Sequence, residues 1–183
     1  MDKKNANLVI DKFRAYVIQQ AKSNLTKGKK NNNKSLYNSL SSVIEKDKST
    51  GYTIVGFQMM DYGQFVDQGV KGAFPNLVKN GVQKAHNSPF KFKNKRPPVR
   101  DLITWAKERG IKLRDKDGRF AKGGYATLGF LLSRSIYAQG IKPTLFFTKP
   151  FEAALKKFIT TDLINALGED VDTIVDYNIK KIK

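Results

Sequence analysis

"GYTIVGFQMMDYGQFVDQGV", residues 51–70, decides how this chain folds. Its first half holds Tyr52, Ile54 and Val55, residue types that favour a strand. Its second half changes period. Tyr62, Phe65 and Val66 stand at i, i+3 and i+4, the spacing of one face of a short helix. Gly69 follows where a helix ends in the left-handed conformation. Gly63 removes a side chain where backbone approaches closely. A strand therefore runs straight into a short helix that glycine stops. The segment is either the wall of a reactive site or a structural hinge. Asp61 and Asp67 point in different directions on so short a helix. They read as a helix-start charge and an interface or solvated group, not as an acid/base pair.

Upstream, "LYNSLSSVIEKD" (36–47) places Leu36, Leu40 and Ile44 in one parity, so it reads as a strand antiparallel to 51–60, with the turn at 46–51. Residues 6–25 form an amphipathic helix with Val9, Phe13, Tyr16, Val17 and Ala21 on one face. "TKGKKNNNKS" (26–35) breaks that pattern as a basic linker, which makes residues 1–34 an arm that packs on a neighbour.

Downstream, residues 70–98 show no sustained period and read as a basic surface-docking loop bearing Phe74, Phe90 and Phe92. "PPVRDLITWAKERG" (97–110) is a helix with Pro98 near its first turn and Gly110 past its end, burying Leu102, Ile103, Trp105 and Ala106. Residues 111–124 form a small polar hairpin turning at Asp117-Gly118. "YATLGFLLSRSIYAQG" (125–140) is a helix apolar on most sides, with Leu128, Leu131, Leu132 and Ile136 on one face and Phe130 and Tyr137 on another. Such a helix needs cover on more than one side, and a neighbouring subunit would supply it. Residues 141–159 pass from an extended segment into a third long helix, with Thr148 as N-cap and Pro150 in its first turn. The fold class is α+β: a small antiparallel sheet packed against two or three long helices, an N-terminal helical arm, one core domain over 35–167, and a C-terminal tail over 168–183. Thr173 to Tyr177 of that tail reads as a last strand or an extended arm.

The net charge is +18 and the pI about 10.0. Such an excess draws the protein towards a polyanion or an acidic partner. Only seven of the basic residues are arginine, so the balance favours phosphate attraction over base readout. Lys27, Lys29, Lys30 and Lys34 form one basic cluster. Lys91, Lys93, Lys95 and Arg96 form another, interleaved with Phe90 and Phe92. Aromatics so placed either stack on unpaired bases or anchor the loop. The chain has no cysteine, which removes disulfides and thiolate metal sites. The sequence has no signal-peptide pattern and no apolar run of membrane-spanning length, so a soluble protein is expected. His86 is the only histidine and has no nucleophile or acid nearby in sequence. "DKDG" (115–118) lacks the other ligands of a calcium loop, and "GYATLG" (124–129) lacks the Lys-Ser/Thr of a phosphate loop. Asp101 and Glu108 read as helix-start and surface charges around Lys107 rather than as a nuclease cluster. No catalytic, cofactor-binding or metal residue is expected, and no cofactor.

Four stretches carry a resemblance. They are "YGQFVDQG" (62–69), "PPVRDLITWAKERGI" (97–111), "SIYAQGIKP" (135–143) and "LFFTKPFEAAL" (145–155), in that order. Over residues 36–160 the chain resembles the tail-completion and neck proteins of tailed bacteriophages, the head–tail connector, minor tail and virion-morphogenesis group. Asp67 stands where that family more often has Glu. The resemblance implies a non-enzymatic α/β subunit of the virion, built in the host cytoplasm into a six- or twelve-fold ring. That ring would join portal or adaptor to tail proteins and continue the channel through which genome DNA passes, with no membrane partner. On this reading Tyr62, Phe65, Asp67, Gly69, Phe130, Tyr137, Phe146 and Phe147 serve subunit contacts, and the two basic clusters face DNA or an acidic partner. The alternative is a non-specific nucleic-acid-binding protein that uses its basic, Phe-containing loops.

Overall fold

The computed structural model describes residues 3–30, 33–46, 53–74, 83–163, 173–174 and 179–181. All but the first residue of the expected 46–51 turn lies outside them, as does Tyr177. The elements run α1 (Lys3–Lys27), α2 (Ser35–Ser39), β1 (Ser41–Lys46), β2 (Thr53–Met59), α3 (Gly63–Gln68), β3 (Val70–Lys71), α4 (Val99–Glu108), α5 (Tyr125–Gln139), β4 (Gly140–Ile141) and α6 (Thr148–Ala154). Helix α6 widens into π-type turns over Leu155–Leu163, and β5 (Thr173–Ile174) and β6 (Ile179–Lys181) follow. The class is α+β, as expected. The chain divides into two compact units, one made of residues 1–67 and 144–183, the other of 68–143.

In the first unit, β1 and β2 pair antiparallel from Ser41↔Gln58 to Lys46↔Thr53. On the other side of β2, β5 and β6 add in parallel. One face of β2 buries Val55, Phe57 and Met59, the period-two pattern of a half-covered strand. Against it lies α1, whose Ile10, Phe13, Val17, Ala21 and Leu25 recur every three or four residues and are all buried. Helix α6 and its continuation add Phe151, Ala154 and Phe158. The rings meet mostly edge to face: Phe13 is 5.9 Å from both Phe57 and Phe151, and Phe57 is 5.4 Å from Phe147. Arg14 ties α1 to β1, its Nε donating to Ser42 Oγ at 2.9 Å. The expected arm is thus corrected: α1 is core, because its apolar stripe is buried with Phe57 and Phe151 in one cluster.

A second correction concerns residues 36–40. Leu36 and Leu40 share a parity, but they are also one helical turn apart. They form α2 and its C-cap, both residues buried, and the strand begins only at Ser41. Gly63 sits where a Cβ would come 2.6 Å from Met59 Sδ and 2.9 Å from Leu36 Cδ1, so a larger residue there would displace both side chains.

In the second unit, α4 packs on α5. A Cβ at Gly129 would lie 2.6 Å from Ile103 Cγ1, so the glycine sets the close approach. Ala106 is buried at this contact, and Ser133 Oγ donates to Pro97 O at 2.6 Å. Strands β3 and β4 pair antiparallel through Val70↔Ile141 and Lys71↔Gly140. The expected surface-docking loop is tied down over its described part. Lys71 N donates to Phe90 O and Phe92 N to Lys71 O, Ser88 Oγ donates to Gly69 O, and Gln83 Oε1 accepts from Gly72 N. The polar hairpin forms as expected, bridged at Arg114↔Phe120 with Gly118 at φ 79°.

Phe13→Ala is expected to cost about 3–5 kcal/mol in denaturant unfolding, the usual loss for emptying a packed ring site. A loss under about 0.5 kcal/mol, typical of a surface change, would return α1 to the status of an arm.

Candidate functional site

Asp67 decides what the opening segment is. It is fully buried. Its Oδ1 accepts from Phe147 N at 2.8 Å and Thr148 N at 3.3 Å, and its Oδ2 accepts from Thr148 Oγ1. Its carbonyl accepts from Thr144 N at 3.0 Å and Leu145 N at 2.9 Å. Thr148 is therefore not the N-cap expected from sequence. It is the first residue of α6, Phe147 precedes it without a side-chain cap, and the cap comes from α3. A carboxylate at a helix N-terminus satisfies orphan N–H groups and favours the dipole. With its oxygens so engaged, Asp67 is a structural group.

This corrects five of the eight expected contact residues, Asp67, Gly69, Tyr137, Phe146 and Phe147, all of them buried. Asp67, Phe146 and Phe147 have no exposed area to offer a neighbour, because they belong to the first unit's interior. Gly69 is buried in the second unit at φ 71°, and a Cβ there would meet Ile141 O at 2.4 Å. Tyr62, just before α3, and Phe65 within it do stand exposed. Partial burial pushes the Tyr62 hydroxyl above its ordinary pKa, against a hydrogen bond with the Leu36 backbone that lowers it.

The strongest candidate surface lies on α5. Phe130 is 51% exposed and Leu131 43%. They border a groove of about 660 Å³ together with Phe74, Arg96, Arg134 and Tyr137. Here the expected faces are redrawn. Gly129, Ser133 and Tyr137, spaced by four, point inward, and Leu131 points out with Phe130. Tyr137 is buried: its hydroxyl donates to Lys93 O at 2.5 Å, Phe74 and Phe92 pack on its ring at 5.5 and 6.0 Å, and the Arg96 guanidinium lies 5.6 Å from its centroid. Arg134 escaped the sequence reading, although its i+4 spacing from Phe130 marks it as a neighbour on the same stripe.

Lys91, Lys93, Lys95 and Arg96 are all exposed, while Phe90 and Phe92 are half-buried. Phe92 works as an anchor, its ring packed on Tyr137, while the neighbouring cations turn out. Lys27, Lys29, Lys30 and Lys34 are exposed at and beyond the end of α1. His86 is exposed; Asp101 sits in the first turn of α4 and Glu108 at its end, both exposed. Among the described residues no three His, Cys, Asp or Glu gather into a metal-binding group, and no helix is long and apolar enough to cross a membrane. Compared with known proteins, the chain matches no family model, no curated protein and no solved structure.

Phe130→Ser is expected to leave unfolding free energy within about 0.5 kcal/mol of the parent, whereas Tyr137→Ser costs about 3 kcal/mol or more. Guanidinium titrations of the two variants check this. Equal losses would contradict the assignment of one ring to the surface and the other to the interior.

Proposed function

We propose that this chain is a structural, non-enzymatic subunit of a tailed-bacteriophage neck or tail, residing in the virion. It assembles into a closed ring between portal or head and tail and continues the channel for the genome. The observation that carries this reading is the uncovered apolar stripe of α5, Phe130 and Leu131, flanked by Arg96 and Arg134. Contiguous apolar surface rimmed by charge marks a protein contact. A closed ring uses such a patch once per subunit, against a different surface of the next. The four ordered sequence stretches point the same way. Asp67 supports the non-enzymatic part, since the one buried acid among the described residues is committed to the start of α6.

The other reading, a free nucleic-acid-binding protein, draws on the exposed lysines. The inward turn of Phe92 onto Tyr137 leaves the 91–96 loop with charge alone to offer.

Native mass spectrometry of the protein, alone and mixed with a portal ring, is expected to show one closed oligomer in at least one of the two samples. The paired change Phe130→Ser, Leu131→Ser is expected to abolish it without lowering the melting temperature. Monomers in both samples would overturn the ring assignment.

A further inference from the structure

The positive charge is unevenly placed. Residues 68–143 hold seventeen Lys and Arg against four Asp and Glu, net +13 of the chain's +18. Five of these cations fall in the 111–124 hairpin, Lys112, Arg114, Lys116, Arg119 and Lys122, all exposed. Beside its turn is Phe120, 65% exposed, the most exposed large apolar side chain among the described residues. Apolar neighbours do not shield this ring. The Arg114 guanidinium lies 4.6 Å and the Lys112 ammonium 5.4 Å from its centroid. Beside the ring opens a pocket of about 170 Å³ walled by Leu113, Ala121, Tyr125 and Leu128. Tyr125 is a second aromatic wall with its own cation, Lys107, at 5.8 Å.

The hairpin is held in shape. Asp115 Oδ1 accepts from Asp117 N at 3.0 Å and Arg119 N at 2.9 Å, Arg114 Nη1 donates to Gly118 O at 2.6 Å, and Ala121 N donates to Leu113 O at 3.0 Å. Asp115 is thereby spent on the turn, and only Asp117 opposes the five cations. A ring presented on a rigid turn loses little freedom when a partner covers it.

We infer that this hairpin is a stacking platform for single-stranded nucleic acid, with an unpaired base on Phe120 at the mouth of the Tyr125 pocket and phosphates drawn to the surrounding cations. Stacking platforms of this type combine a cationic track with exposed rings, and they tolerate any sequence because every base has a π-face. Duplex bases are already stacked and offer only phosphates. An acidic protein segment would satisfy the cations but leave the ring unused. Phe120 therefore separates the three partners. The 91–96 loop is also basic, but its one ring, Phe92, packs on Tyr137, so it does not compete for this role. The inference does not rest on the ring assignment; a monomer would bind in the same way.

The test is fluorescence anisotropy with a labelled oligothymidine, a duplex of equal length, and polyglutamate as competitor. The parent protein binds the single strand more tightly than the duplex. Phe120→Ala weakens single-strand binding about 5- to 100-fold, the loss of one stacked base, and leaves the duplex unaffected. Phe120→Trp restores the single strand. Lys112→Gln and Lys116→Gln each lower the salt slope on the single strand by about 0.7. Thermal melting of each variant verifies the fold, which an exposed ring does not control. Single-strand binding insensitive to Phe120→Ala, equal affinity for duplex, or a parent protein that binds neither nucleic acid would overturn the inference. Oligomers that form while binding fails would leave the ring reading standing without it.

Discussion

A carboxylate buried away from water sits at the start of α6, and the first unit is arranged around it. Leaving a buried polar group unsatisfied costs more than making its hydrogen bond gains. Asp67 therefore has one tolerable position, against the amides of Phe147 and Thr148. Its own carbonyl, with that of Val66, holds Thr144 and Leu145, so the stretch ending at residue 67 and the stretch beginning at 144 are bound side by side. From that junction Phe147 enters the aromatic core, and Leu145 is held at φ 51°, a conformation that non-glycine residues rarely adopt.

The two units divide the work. In the first, α1, β2 and α6 meet in packed phenylalanine rings. The second is open. It carries most of the net charge, an exposed stripe on α5 and an exposed ring on its hairpin. Contiguous apolar surface rimmed by charge marks a contact. The proposed ring contact uses the α5 stripe, and the proposed nucleic-acid contact uses Phe120.

Much of the fold was legible because single elements obey a single period. The α1 stripe, the antiparallel β1–β2 pair, the 97–110 helix and the hairpin turn all followed from spacing and glycine. Where two periods agree, sequence is silent about which applies: Leu36 and Leu40 fit a strand by parity and a helix by their separation, and tertiary packing chose the helix. The site was less legible. Asp67 looked like an interface or solvated group because its partners lie about eighty residues away, and no local pattern announces a cap supplied from another element. Phe146 and Phe147 carry no mark that separates a buried ring from a contact ring. On α5 nearly every position is apolar, so the wheel alone did not show that Tyr137 faces in and Leu131 out. The small residues Gly129 and Ser133, which let α4 approach, were the available signal.

The central claim is that Asp67 is committed to the fold and not to chemistry or to a neighbour. Urea unfolding of Asp67→Ala beside Asp67→Asn tests it most directly. The alanine variant strips two backbone amides of their acceptor and should lose about 2–4 kcal/mol, while asparagine, which keeps one oxygen facing those amides, should recover most of that loss. An alanine variant as stable as the parent would contradict the account.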